Sequence, residues 1–337
     1  MEAPRRCMES ARWADILAQA IFHTLVAALF VEALVRSWRV NDPGQRIALR
    51  LTALGYPLVV FPALVTLFPL RAEERFRDGL ALFSGRRWED VTVLGHGLFE
   101  VFVLGLAGLG AVLLLMDLVP MAWRRRTPRP RPVAPDPRSA AALEAALSDL
   151  GARTRLRRPE VQFVDGETPA IFCTGVRTPA IVVSRGALRL LDADELRAAL
   201  AHELSHLVRR DPAASWGVFA ARVLLFFNPA FQVVSRTIAR DAEWLADERA
   251  AELSGDRLAL ASGLLKLHRA TLGRRPAARR TLPLAGALSE PLARVRSRDV
   301  EVRCRRLLDG PAPRLPFGAA RVALAGIAVT ALLFFVV

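Results

Sequence analysis

Two histidines stand four residues apart in Ala201-His202-Glu203-Leu204-Ser205-His206, with a glutamate directly after the first. In an α-helix, residues four apart lie about 40° apart around the axis, so His202 and His206 share one face. Two imidazoles so placed can chelate one zinc ion, and Glu203 beside them can hold a water and take its proton. Zinc-dependent hydrolases make their nucleophile at neutral pH in this way. A core helix that happens to carry two histidines is the competing account. Residue frequencies put an accidental HExxH below roughly one per hundred chains of this length, and only five histidines occur in all 337 residues.

A catalytic zinc takes three protein ligands and keeps one position open. The longer HExxHxxGxxH pattern is excluded, because Arg209 and Pro212 occupy the places of its glycine and third histidine. The better source lies in Arg240-Asp241-Ala242-Glu243-Trp244-Leu245-Ala246-Asp247-Glu248, where Glu243 and Asp247 share a helical face. Glu243 is the expected third ligand. Asp247, too far along the helix to bind the same ion, is expected to accept the remaining N–H of a ligand histidine and set its tautomer. An ordinary amphipathic helix is the alternative for this segment, since Ala242, Ala246, Ala250 and Leu253 form a packing stripe. Peptide hydrolysis also needs a donor for the developing oxyanion, and His268, Arg240 and Arg249 are the candidates.

Positioning these groups requires a helix around 193–208. Asp192 followed by Glu195 predicts a capping box, Leu196, Leu200, Leu204 and Leu207 make the buried stripe, and Asp211-Pro212 ends the run. Upstream, an Ala- and Leu-rich helix from about Ser139 to Leu150 precedes short apolar runs at 161–164, 170–173 and 180–183, read as a small sheet. Between the two metal segments lies an apolar stretch, 213–234, broken by Arg222 and Asn228-Pro229. It is expected either to pack in the core or to dip into a membrane interface, with the second favoured.

The composition agrees with a membrane protein: 53% hydrophobic residues and a mean hydropathy of +0.27. Long runs of low charge occur at about Trp13–Val35, Ile47–Leu70, Val91–Val119 and Pro316–Val337, each long enough for a hydrocarbon core of about 30 Å. Four spans are predicted, the second kinked by Pro57, Pro62 and Pro69. Arg124-Arg125-Arg126, Arg129 and Arg131 after the third span place the central domain in the cytosol. The loop at 71–90 holds arginines too, so the bias is modest.

These segments, together with Pro179–Ser184, Arg209-Arg210-Asp211-Pro212 and Phe227-Asn228-Pro229, resemble the BlaR/MecR type of membrane zinc metallopeptidase, the antirepressor proteases. They are similar, less closely, to the HtpX-like and CAAX prenyl protease family. The resemblance implies a gluzincin with Zn2+ on His202, His206 and Glu243 and with Glu203 as catalytic base. It further implies that an edge strand beside the metal helix, around 171–174 or 181–183, pairs with the substrate backbone. Sensors of this type carry an extracellular penicillin-binding domain after their last span; with this sequence ending at Val337, no beta-lactam sensing is expected.

The expected fold is therefore an α+β zincin-like catalytic domain among transmembrane α-helices, mostly α with a small sheet. Residues 1–123 form a membrane domain of three spans, 124–138 a basic Pro-rich linker, 139–310 the metallopeptidase domain and 316–337 a C-terminal span. The net charge of +14 is almost entirely arginine. Its clusters at 153–158, 274–280 and 294–306 suit anionic lipid, and no nucleic-acid-binding signature accompanies them. Cys7, Cys173 and Cys304 imply no disulfide frame. The expected activity is an integral-membrane zinc endopeptidase of a bacterial inner membrane, cutting a cytosolic regulator such as a transcriptional repressor, or a membrane-proximal protein. The alternatives are an HtpX-like quality-control protease and a non-catalytic membrane signalling or scaffold protein.

Overall fold

The computed structural model describes residues 3–80, 92–93, 96–126, 132–134, 136–154, 159–175, 178–272, 297–311 and 318–336, with positions 313 and 316. The arginine cluster at 274–280, arginines 155–158, Arg86 and Arg87, and the linker arginines 129 and 131 lie outside the described residues. Two compact units emerge: Met1–Thr127, Val218–Ala242 and Pro313–Val337 in one, and Pro128–Gly217 with Glu243–Ala312 in the other.

The first unit opens with α1 (Ala3–Ser37), α2 (Pro43–Gly55), a π-helical turn at Tyr56–Val60, α3 (Phe61–Leu67) and α4 (Glu74–Gly79). A two-residue ribbon of β1 (Thr92–Val93) and β2 (His96–Gly97) leads into α5 (Leu98–Arg126). The second unit begins with α6 (Pro137–Arg153), then β3 (Glu160–Val164), β4 (Ile171–Thr174), β5 (Ala180–Ser184), α7 (Arg185–Leu190) and α8 (Ala193–Val208). Helices α9 (Asp211–Leu224) and α10 (Pro229–Ser254) run on into α11 (Arg257–Leu272), a helical stretch α12 at 297–309, and α13 (Gly318–Phe334).

Among the described residues two helical segments, Leu17–Ser37 and Glu100–Val119, are long and apolar enough to cross a membrane. The predicted second run is interrupted by its π turn at Tyr56–Val60. Pro57 lies within that turn, where it lacks the amide hydrogen a regular α ladder needs, and Pro62 stands in the first turn of α3. The third run starts later than its hydropathy suggests: Val93 pairs with His96 in the ribbon, and the helix opens only at Leu98. Helix α13 has 17 residues, about 26 Å at 1.5 Å per residue.

Within this unit α1, α2 and α13 share a core of Ala27, Val31, Val35, Leu49, Ala53, Val329 and Leu333. Two ionisable groups near the predicted spans, His23 and Asp117, are taken up in tertiary contacts. His23 Nε2 lies 2.6 Å from the Val336 carbonyl, and Asp117 accepts from Arg236 Nε at 3.0 Å and from Arg222. Asn228 N-caps α10 by accepting the Phe231 N–H at 3.0 Å, with Pro229 at the first helical position, where its missing amide hydrogen costs nothing.

In the second unit the strands order as β3-β5-β4, β3 parallel and β4 antiparallel to the buried central β5. Residues 132 and 133 cover the outer side of β3. Among the described residues β4 is therefore the open edge of the sheet, and 181–183, one of the two candidate edge strands, is its centre instead. Ser184 ties β5 to α7: its Oγ caps the Ala187 N–H at 3.1 Å and donates to the Thr168 carbonyl at 2.9 Å. Helix α8 begins with the predicted capping box, Glu195 N–H to Asp192 Oδ1 at 2.9 Å and Asp192 N–H to Glu195 Oε2 at 3.1 Å. Its leucine stripe at 196, 200, 204 and 207 is buried with Leu143, Leu147 and Leu150 of α6 and Leu260 of α11. That burial holds the opposite face of α8, the one bearing the histidines, in place.

Candidate metal centre

His202 and His206 project from α8 with their Nε2 atoms 3.2 Å apart and their rings at 84° to each other. Helix α10 brings in Glu243, whose Oε2 lies 3.6 Å from His202 Nε2 and whose Oε1 lies 3.7 Å from His206 Nε2. One donor atom from each residue falls within 4.8 Å of the others, the one such grouping of three among the described residues. A tetrahedral zinc with bonds of roughly 2.0–2.1 Å would hold its ligand atoms about 3.4 Å apart. The separations of 3.2, 3.6 and 3.7 Å match that spacing, and two imidazoles with one carboxylate are a donor set zinc accepts. The residues fit the metal. The histidine side chains are 9% and 13% accessible against 43% for Glu243, so solvent reaches the group from the carboxylate side.

Each histidine turns its other nitrogen to a carboxylate. His202 Nδ1 lies 3.0 Å from Asp247 Oδ1, a charge contact rather than a well-directed hydrogen bond. His206 Nδ1 lies 2.8 Å from Asp211 Oδ2. Asp211 reaches back because the chain turns sharply after α8: Arg210 adopts φ +57°, the left-handed conformation that ends many helices, and α9 starts at once. Such carboxylate–imidazole pairs orient a ligand histidine and leave Nε2 for the metal.

Arg303 of α12 joins the two acidic residues of α10. Its Nε and Nη2 each donate to Asp247 at 2.7 Å, and Nη1 lies 3.1 Å from Glu243 Oε2. Charge and burial then set the titration of the group. Burial lowers the pKa of His202, but the carboxylates of Asp247 and Glu243 outweigh it and raise it to about 9. Glu243 feels the reverse: burial pushes it up, yet His202 and Arg303 hold it down at about 2. Asp247 is lowered in the same way, its burial overcome by Arg303 and His202.

Glu203 points toward the sheet, where its Oε2 accepts the Cys173 N–H at 2.7 Å. Burial raises its pKa against the opposing charges of His202 and His206, which makes its carboxylate a better proton acceptor. The thiol of Cys173 is pushed up to about 12, by burial first and then by Glu203, and so is no nucleophile. The antiparallel register puts the backbone groups of Ala170, Phe172 and Thr174 toward β5 and those of Ile171 and Cys173 toward the open edge.

The structure thus brings together His202, Glu203, His206, Glu243 and Asp247. Of the three oxyanion candidates, His268 sets Nε2 3.1 Å from Ser297 Oγ, Arg249 stands near Arg209, and Arg240 lies three residues before Glu243 on α10. The sequence argument missed Arg303, Asp211 and the Cys173 amide. In the sequence Asp211 reads as a helix stop and as part of the Arg209-Arg210-Asp211-Pro212 motif, although its spacing of five from His206 across a turn is a usable signal for a histidine partner. Nothing local marks Arg303 among its neighbouring arginines.

A family model described as BlaR1 peptidase M56 matches residues 100–293, more than half of the chain. Among individual proteins, the chain is similar to the Protease HtpX homolog of Thermococcus kodakarensis, 31% identical over 172 residues, which are 40% of this chain and 59% of that protein. The Protease HtpX homolog of Pseudarthrobacter chlorophenolicus is 35% identical over 158 residues, 38% of this chain and 54% of its own length. That of Paenarthrobacter aurescens is 36% identical over 156 residues, 37% and 54% of the two chains. The chain therefore spans between half and three-fifths of these relatives. Both likenesses drawn from the motifs, the nearer and the more distant, are borne out.

Proposed function

Because the chain belongs to the BlaR1 peptidase M56 family, we propose that it is an integral-membrane zinc endopeptidase of the gluzincin type, with its catalytic domain on the cytosolic side of a bacterial inner membrane. The observation that carries this is the near-tetrahedral spacing of the Nε2 atoms of His202 and His206 and the carboxylate of Glu243. These three would hold the ion, and Asp247 and Asp211 would fix the two imidazoles. Zinc, when bound, supplies Lewis-acid polarisation of the scissile carbonyl and a water acidic enough to attack at neutral pH.

The chain's own groups do the rest. Glu203, held through Oε2 by the Cys173 amide, takes the water proton at Oε1 and returns it to the leaving amine. The open edge of β4 offers the groups of Ile171 and the Cys173 carbonyl to an extended peptide, which would dock as an added strand next to Glu203. Helix α9 leaves Trp216 and Leu224 more than half exposed, which supports docking at a bilayer surface and substrates that lie near it. A cytosolic regulator or a membrane-proximal protein fits that placement. The HtpX homologs among the relatives favour a second reading, broad membrane quality control, which uses the same site on many substrates.

Glu203→Gln should keep bound zinc and stop cleavage, and His206→Ala should lose the metal itself. Peptides released from membranes carrying wild-type protein but absent with Glu203→Gln would identify the substrates, one regulator or many proteins. Cleavage that persists in Glu203→Gln rejects the base assignment.

A further inference from the structure

Glu243 is the exposed member of the metal group, its side chain 43% accessible, yet the largely buried Arg303 of α12 reaches it. The Nε and Nη2 of that guanidinium are already taken by the two oxygens of Asp247, each at 2.7 Å, and Nη1 lies 3.1 Å from Glu243 Oε2. Arg303, Asp247, Glu243 and both histidines belong to the same compact unit. Neutralising the buried Asp247 needs only the first two of these contacts. An ion pair to a carboxylate as exposed as Glu243 adds little to stability, so folding alone does not account for the third.

The two oxygens of Glu243 have different surroundings. Oε1 lies 3.7 Å from His206 Nε2, whereas Oε2 lies 3.6 Å from His202 Nε2 and 3.1 Å from the guanidinium. A carboxylate can bind a metal ion through one oxygen or through both, and a second oxygen would fill the position that a catalytic zinc site leaves open. A cation seated at Oε2 satisfies the charge of that oxygen and leaves Oε1 to the ion. Through Asp247 the same guanidinium also supports His202, whose Nδ1 lies 3.0 Å from Asp247 Oδ1. One side chain of α12 thus stands behind two of the three ligands.

We propose that Arg303 is a positioning residue for the third ligand: its hold on Oε2 makes Glu243 bind the metal through Oε1 alone and keeps one coordination position free. The inference rests on Glu243 being a ligand. Arg303 itself need touch neither metal nor substrate.

The test uses the full-length protein in detergent, stripped of metal and given one cobalt(II) per chain, because the visible absorption of cobalt weakens as its ligands rise from four to five. Arg303→Gln, which keeps a hydrogen-bond donor for Asp247 but not the charge, should release Oε2 to the ion and lower the absorbance per bound cobalt about twofold or more. Arg303→Ala should do the same. Leu147→Ala, at a buried core position on α6, lowers Tm without touching the site and should keep the wild-type spectrum. A wild-type spectrum in Arg303→Gln with cobalt fully bound overturns the proposal, as does an equal change in Leu147→Ala. Cobalt binding lost altogether in Arg303→Gln overturns it too, since control of one oxygen predicts an ion that stays bound. If neither variant is recovered from membranes, Arg303→Lys decides by the same reading, because its single ammonium cannot span Asp247 and Glu243. His206→Ala and Glu243→Gln are measured alongside: should either bind cobalt with the wild-type spectrum, the metal-site assignment itself fails, whereas binding lost there with unchanged spectra in the Arg303 variants rejects the positioning role alone.

Discussion

Asp211 Oδ2 lies 2.8 Å from His206 Nδ1, so the first residue of α9 orients a side chain on the last turn of α8. The contact depends on the left-handed backbone of Arg210 between them. Asp211→Ala should lower zinc affinity about 10- to 100-fold, the usual effect of removing a ligand's supporting carboxylate. Asp211→Asn, which keeps an acceptor but not the charge, should lose less. Chelator competition on the purified variants measures both, and equal affinity in Asp211→Ala would rule out the orienting role.

Metal uptake should release a proton. With its pKa raised to about 9 by Asp247 and Glu243 against the effect of burial, His202 is protonated at pH 7 in the metal-free protein, and zinc must displace that proton. Apparent affinity should therefore fall about tenfold per pH unit below roughly 9 from this group alone. Calorimetric titrations of metal-free protein in buffers of different ionisation enthalpy count the protons; a heat independent of buffer contradicts the prediction.

Arg303→Ala removes the guanidinium that spans Asp247 and Glu243 of α10, and Asp247 is buried. Breaking a buried pair from one side costs about 3–5 kcal/mol, which thermal unfolding in detergent should register as a fall in Tm. Arg303→Lys should recover only part of it, because a single ammonium cannot span both Asp247 oxygens and Glu243 as the guanidinium does.

Arg210→Gly should stabilise the protein. A residue with a side chain at φ +57° carries a penalty of about 1 kcal/mol that glycine avoids, partly offset by the freedom glycine adds to the unfolded chain. A rise in Tm with zinc affinity unchanged is the expected result, and a fall would mean that the Arg210 side chain makes a contact worth more than the strain.

Local physics made much of this molecule legible from its residues. The three short strands are marked by apolar runs bounded by Gly and Pro, although their pairing is longer-range. The capping box at Asp192 and Glu195, the leucine stripe of α8 and the break at Asn228-Pro229 rest on interactions within a few positions along the chain. Periodicity and capping encode such interactions directly. Hydropathy was less reliable for extents: it marks apolar composition and does not see the ribbon pairing that delays α5 to Leu98 or the proline-bearing π turn that splits the second run.

What the tertiary structure alone decided are relationships across long stretches of sequence. That β5 lies between β3 and β4, leaving β4 as the open edge, depends on strand order, which the same three apolar runs could satisfy in several ways. That Arg303 is the arginine bridging Asp247 and Glu243 depends on how α12 packs. The same holds for Arg50, which meets Asp241 from 191 positions away. Such pairings are chosen by the packing of whole elements against one another, and no local pattern in either partner announces them.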